Sequence, residues 1–313
     1  METEIKKIYL EPLWKMHSLY NSLILYPPDG YEFIIPQTLT EKTFKAASEI
    51  QLSYFLLHKL HRIVPVELIK SHLERFKKVP KGTALTYSSQ HLVFRHEPWV
   101  VDLEYISILL GNSKHFKRYK GVIERAFASE YCKKILCWYE AAKRTILSNL
   151  DCTQFEHKIE VSLLYGQKRN FIKQFHNDKI KLLFVGSANI LGEFEIKGGA
   201  EVIETFLQLS RKYDNLELVI RSDMPQDMKK KYSQIRNLRV IDNIIPWEQL
   251  EQEFKSADIF LLPAHNTPWL AFLDAMSYQL PIITIDAWAN SEIVEDGKTG
   301  FTEIGRASCR ERV

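Results

Sequence analysis

Three observations predict a doubly wound, parallel α/β fold. Short apolar strands alternate with amphipathic helices from Lys181 to Thr302. The first strand, KLLFVG (Lys181–Gly186), is apolar on both faces, as a strand covered by helices on two sides must be. It leads through Gly186-Ser187-Ala188-Asn189 and Lys197-Gly198-Gly199 into GGAEVIETFLQLSRKY. There Val202, Ile203, Phe206, Leu207 and Leu209 recur at helical spacing.

The following elements keep the alternation. Leu216–Ser222 (LELVIRS) and Asn237–Asp242 (NLRVID) read as strands, and Trp247–Ala257 as an amphipathic helix. Asp258–Ala264 is a further strand, Ala271–Gln279 a short helix and Pro281–Asp286 another strand. On such sheets ligands bind at the carboxyl ends of the strands, where the loops after Gly186 and Pro263 converge. A strand, a glycine-bearing loop and a helix N-terminus offer backbone N–H groups and a favourable dipole to an anion, and Lys197 adds a full charge. This stretch is therefore a candidate phosphate site.

The order FVG…KGG…LELVI…DIFLLP…FLDAM…LPIIT…SEIVEDGKTGF resembles the donor-binding domain of family-4 glycosyltransferases, which have the GT-B fold. The likeness covers about the last two-fifths of the chain and rests on several spaced motifs. It implies two Rossmann-like domains facing across a cleft, with a nucleotide diphosphate-sugar donor, a retaining transfer, and no metal or other cofactor. By the same resemblance Lys197 contacts the donor diphosphate and Asp274 holds the nucleotide ribose. Asn266 takes the place of the first acid of the family's E-x7-E pair. Ser187, Gly198, Thr267 and Glu292 complete the expected donor contacts, Glu292 being either a ligand or a helix cap.

Three departures stand out. Ser187 falls where the family carries arginine, which removes a cation that would neutralise the leaving diphosphate. Asn266 hydrogen-bonds a hydroxyl but cannot stabilise an oxocarbenium-like centre as a carboxylate does. Trp269 replaces a glycine in a loop expected to approach phosphate.

The bounds are those of an ordinary globular protein. The chain has 313 residues, enough for two cores, and is 45% apolar and 26% charged. No run reaches the roughly 20 apolar residues of a spanning helix. Met1-Glu2-Thr3-Glu4 opens acidic, so no signal peptide is read. Cys132, Cys137, Cys152 and Cys309 have no metal-site spacing, and reduced thiols in a cytoplasmic protein are expected. The tail IGRASCRERV (Ile304–Val313) fits no element and reads as non-native. Family members continue with further strands and helices here, so the resemblance implies a truncated second domain.

The formal charge of +3 conceals an asymmetry. Residues 1–178 carry a net +7 and residues 179–303 a net −6, the excess lying in Lys70–Lys81 and Lys114–Arg144. A basic half suits an anionic acceptor or an anionic membrane face, or is simply a solvated surface. Nucleic acid is not expected, because no aromatic-and-basic recognition motif accompanies the charge.

In the first half, Pro27-Pro28-Asp29-Gly30 marks a turn, followed by a short strand, YEFIIP. Thr43–Val64 carries a helical stripe of Ala47, Ile50, Tyr54, Leu57 and Leu60, and Val66–Lys78 a basic amphipathic helix. Ala84–Ser89, Trp99–Tyr105, KKILCW and His157–Tyr165 read as strands, with helices before KKILCW and from Tyr139, and Gln167–Asp178 as a linker. The PWVVDLE segment and the EAAKRTI helix resemble, more weakly, the end of the family's acceptor domain. Asp102 and Glu104 are the acidic candidates there, on one face if the strand runs through Glu104. Glu104 lies roughly where many relatives place a histidine. Either acid could take the acceptor's proton or serve a structural hydrogen bond. His91, His96 and His115 read as surface or core histidines.

The reading is thus an acceptor-side domain over residues 1–178 and a donor domain over 179–303 of a retaining glycosyltransferase. Its partners would be a nucleotide-sugar, a glycan or lipid-linked acceptor and an anionic membrane met peripherally at the inner face. The rivals are a non-catalytic nucleotide- or sugar-binding partner of a transferase and a GT-B-fold sugar-nucleotide epimerase. A nicotinamide dehydrogenase is disfavoured, because Gly186-Ser187-Ala188 lacks the G-x-G-x-x-G spacing.

Overall fold

A computed structural model describes residues 5–12, 19–35, 60–164, 166, 169–174, 178–187 and 192–303. The chain divides into two compact units, Met1–Tyr165 and Gly166–Val313. Most of the helix expected over Thr43–Val64 and the tail Ile304–Val313 lie outside the described residues.

The first unit holds β1 (Lys6–Pro12), α1 (Leu19–Leu25), β2 (Tyr31–Ile34), α2 (Val66–Glu74), β3 (Thr83–Ser89), β4 (Trp99–Leu103), α3 (Phe116–Ala128), β5 (Cys132–Cys137), α4 (Glu140–Asn149) and β6 (Ile159–Val161). Its strands are all parallel, in the order β2-β1-β3-β4-β5-β6. Central β4 is buried along its whole length, which its near-continuous apolar sequence requires. The sheet order reverses direction between β1 and β3, so the loops after these strands diverge at that point.

Some expected elements are shorter. The strand starting at Trp99 stops at Leu103, and a 3-10 turn over Ile106–Leu110 follows. Asp102 is therefore a strand residue and Glu104 is not. The basic helix closes at Glu74, because Phe76 and Lys77 turn back onto Leu73 and Glu74 ahead of Pro80. Among the described residues of His157–Tyr165, Ile159–Val161 pair with β5.

The second unit contains β7 (Ile180–Val185), α5 (Glu193–Ile196), α6 (Gly199–Leu209), β8 (Leu216–Arg221), α7 (Gln226–Tyr232), β9 (Leu238–Ile241), α8 (Trp247–Ser256), β10 (Ile259–Leu261), α9 (Trp269–Ser277), β11 (Ile282–Ile285), α10 (Asn290–Ile293) and β12 (Gly300–Glu303). The sheet is again parallel, in the order β12-β11-β10-β7-β8-β9. Leu183, Phe184, Phe206, Val219 and Phe260 form part of its core. The stretch before β7 packs into this unit too. Gln279 Oε1 accepts from the Lys173 N–H at 3.0 Å, and Lys173 Nζ donates to the carbonyl of Ala257. The direction reverses between β7 and β10, which makes the loops after these strands the place to look for a ligand.

Candidate functional site

The loop after β7 is anchored where it leaves the strand. Gly186 donates its N–H to Arg221 O at 2.8 Å, and Ser187 O accepts from Asp223 N–H at 2.8 Å and from Ser222 Oγ at 3.1 Å. A Cβ on Gly186 would lie 2.5 Å from Ser222 Oγ, so any larger residue would have to displace that side chain. Past α5 the chain turns at Gly198, whose φ of +80° suits glycine. A Cβ there would also fall 2.5 Å from Pro263 O. Close contact with the loop after β10 continues at Ile196, whose carbonyl accepts from His265 N–H at 2.9 Å. The first-turn N–H groups of α6 have no intrahelical acceptors and no side-chain cap.

This geometry brings two of the expected residues together. Lys197 Nζ donates to Asn266 Oδ1 at 2.9 Å and lies 3.7 Å from Glu193 Oε2, one helical turn back. Lys197 is mostly buried, so its charge is held in place by a neutral amide and one carboxylate. Glu193 did not figure among the expected site residues, although its i,i+4 spacing from Lys197 is legible in the sequence.

The other expected donor residues fall into different settings. Thr267 is buried, and its Oγ1 accepts from Ala289 N–H at 3.0 Å, so it braces the loop after β10 against the one after β11. Asn290 completes the brace: its Nδ2 faces Ala264 O at 2.9 Å, Ile285 O at 3.1 Å and Thr284 Oγ1 at 3.3 Å. Trp269 opens α9 and is buried, so it is a helix residue and not a loop residue. Asp274 is the sixth residue of that helix, beyond the first turn where the dipole favours an acid. Burial pushes its pKa up to about 6, opposed by the charge of Arg169. Glu292 lies in the first turn of α10, half-buried, with its N–H bonded to Ala289 O.

One cation escaped the sequence reading. Arg221 ends β8 directly beside Val185, and its Nη1 donates to Gly186 O at 3.1 Å. Its Nε is buried and meets no acceptor among the described residues. Burial lowers its pKa, and no neighbouring acid offsets that. Because β7 lies between β8 and β10, Arg221 and Lys197 flank the Gly186 loop from its two sides. The signal was a charged residue closing an otherwise apolar buried strand, LELVIR.

The acceptor-side acids separate. Asp102 is wholly interior: Tyr20 Oη donates to it at 2.9 Å, Trp138 Nε1 at 3.1 Å and Gln90 N–H at 3.3 Å. Burial raises its pKa to about 6, with the Trp138 and Tyr20 hydrogen bonds pulling the other way. Glu104 is half-buried, just past the strand end. A charged cluster that sequence spacing could not reveal lies near the reversal point of the first sheet. Buried Glu11 pairs with Arg95 and takes His91 Nε2 at 3.1 Å, while Arg95 Nε donates to Glu97 at 2.7 Å. His91 is a core histidine. Among the described residues no group of three or more His, Cys, Asp or Glu side chains is placed to hold a metal ion. Cys132, Cys137 and Cys152 are buried and free.

Residues 179–306 match the family described as Glycosyl transferases group 1, over about two-fifths of the chain. Solved structures share the architecture of both units. Anabaena HepE in complex with UDP aligns at TM-score 0.58 and 14% identity, over 96% of this chain and 86% of that one. TarM aligns at TM-score 0.56 and 13% identity, over 77% and 49%. The chain carries a glycosyltransferase group 1 domain in a GT-B fold. A further GT-B neighbour, a pneumococcal O-GlcNAc transferase, GtfA, solved with UDP and GlcNAc, aligns at TM-score 0.52 and 10% identity, over 71% and 46%. The chain thus spans about half the length of the TarM and GtfA chains. No curated protein matches it in sequence.

Proposed function

We propose that the chain is a family-4, retaining glycosyltransferase that moves a sugar from a nucleotide diphosphate-sugar to a glycan or lipid-linked acceptor. The observation that carries this reading is the convergence of Lys197, Asn266 and the glycine-framed loop where the sheet order reverses. HepE and GtfA, of the same fold, were solved with UDP, which makes UDP the first nucleotide to try.

The diphosphate would lie against Lys197 and the N–H groups opening α6, with Arg221 supplying positive charge from the other side. Asp274 would accept a hydrogen bond from a ribose hydroxyl, and Asn266 one of those of the sugar, with Ser187 and Glu292 as further contacts. A same-face attack leaves the departing phosphate to assist deprotonation of the acceptor, so cationic stabilisation matters more than a strong side-chain base. No resident cofactor enters this scheme. The basic first unit would meet the acceptor, through Glu104 in preference to the interior Asp102, and touch an anionic membrane at its cytoplasmic face. No helix among the described residues is long and apolar enough to cross a membrane.

Calorimetric titration of UDP into the protein, beside Lys197→Ala, tests the donor site. Saturable binding, weakened about tenfold or more (about 1.4 kcal/mol) by the substitution, is expected. Absence of binding of UDP, GDP and ADP to the folded protein would refute it. The neutral Asn266 against Lys197 favours a second reading, a non-catalytic nucleotide- or sugar-binding partner. In that case Asn266→Glu with Ser187→Arg should create donor turnover absent from the parent. The epimerase reading instead requires donor turnover without any acceptor.

A further inference from the structure

Helix α2 (Val66–Glu74) is built inside out. Its inward positions are Glu67, Leu68, Ser71 and Glu74, all buried. The two acids have local partners: His61 Nε2 lies 3.7 Å from Glu67, and Lys77 Nζ donates to Glu74 at 2.8 Å. Arg95 Nη1 fixes the helix end by donating to Glu74 O at 3.0 Å. Apart from Leu68, the large apolar residues in the helix and just beside it are exposed instead. Ile63 is 74% exposed, Ile69 46%, Leu73 61% and Phe76 73%. Positions 66, 69 and 73 follow the three-and-four spacing of one face of the helix, and Phe76 is exposed in the turn just past its end. An ordinary surface helix buries that stripe, and here burial falls to the carboxylates.

Charge is sorted the same way. Glu67 and Glu74 are the only acids between Leu60 and His96, and both are inside. Arg62, Arg75, Lys77, Lys78 and Lys81 are all exposed around the stripe. Arg75 lies over the Phe76 ring, 4.7 Å from its centroid, which places a cation beside the most prominent apolar side chain. Aliphatic and aromatic groups flanked along the chain by exposed cations match an interface that is apolar below and anionic above.

We propose that this face docks on an anionic lipid bilayer. Ile69, Leu73 and Phe76 enter the headgroup boundary, while Arg62, Arg75, Lys77, Lys78 and Lys81 pair with lipid phosphates. The inference names the surface for the membrane contact proposed above and is independent of the donor site, so vesicle binding is measured without nucleotide.

The whole chain is sedimented with vesicles of equimolar phosphatidylglycerol and phosphatidylcholine, and with phosphatidylcholine vesicles. Binding to the anionic vesicles alone is expected, weakened at least about tenfold by Leu73→Gln with Phe76→Gln. Lys78→Gln with Lys81→Gln should weaken it by a similar factor and flatten its salt dependence. Both double variants should keep the parent Tm, because the side chains are exposed. Parent protein that ignores anionic vesicles would overturn the membrane contact altogether. Parent binding that the double variants leave unchanged would overturn this face alone. If another part of the chain or a protein covers the stripe, Leu73→Gln with Phe76→Gln lowers Tm or abolishes that association without affecting lipid, which also overturns the proposal.

Discussion

The fate of Asp102 separates a catalytic acid from a buried hub. Its carboxyl is interior and takes hydrogen bonds from Tyr20, Trp138 and Gln90, yet burial still raises its pKa from 3.8 to about 6. With the folded value above the unfolded one, the native state holds the proton longer. Its stabilising contribution is complete below about pH 4 and is lost as pH rises through about 6. About two pKa units correspond to about 3 kcal/mol in full, of which about 2 kcal/mol should fall between pH 4.5 and 7.5. Asp102→Asn removes the titration and sets an amide N–H2 against one of the donors, at a cost of about 1–3 kcal/mol. Urea unfolding of both proteins, followed by tryptophan fluorescence across that pH range, measures the difference. The stability advantage of the parent should shrink by about 2 kcal/mol on going to pH 7.5, with UDP affinity unaltered in the folded variant. A pH-independent difference would refute the reasoning, and so would a loss of transfer in a variant as stable as the parent.

Three other substitutions probe the donor side. Gly198→Ala should lower stability by about 1–3 kcal/mol, read as a lower Tm, and weaken UDP, because its φ of +80° and the nearby Pro263 O leave no room for a Cβ. Arg221→Met should weaken UDP and inorganic pyrophosphate about tenfold but leave uridine unchanged; an equal loss for all three would make Arg221 a loop brace only. Asn290→Ala strands the carbonyl of Ala264 and should cost about 1–3 kcal/mol in thermal denaturation, with faster amide exchange at Ala289, whose partner is Thr267.

Much of the second unit was written locally. An apolar run ending in glycine, repeated at regular intervals with amphipathic helices between, leaves a parallel sheet as the only way to bury every strand. Lys197 before two glycines marked a candidate anion loop for the same local reason, since loop conformation and charge are properties of adjacent residues. Strand limits were less legible. The Trp99 strand ends at Leu103 because a 3-10 turn takes over, so Glu104 leaves the face it was expected to share with Asp102.

What depended on tertiary structure is pairing across long separations. The Lys197–Asn266 contact spans 69 positions, and the Tyr20–Asp102 contact 82. No periodicity records either, because each arises from the order in which strands lie in the sheet. The same order put Arg221 beside Gly186 and set Thr267 against the loop after β11. Sequence composition told that Lys70–Lys81 was basic; only the packed helix decided that Glu67 and Glu74 are buried while Ile69, Leu73 and, just past its end, Phe76 are exposed. Propensity and pattern act over a few residues, whereas desolvation and charge pairing are settled by which distant segments meet.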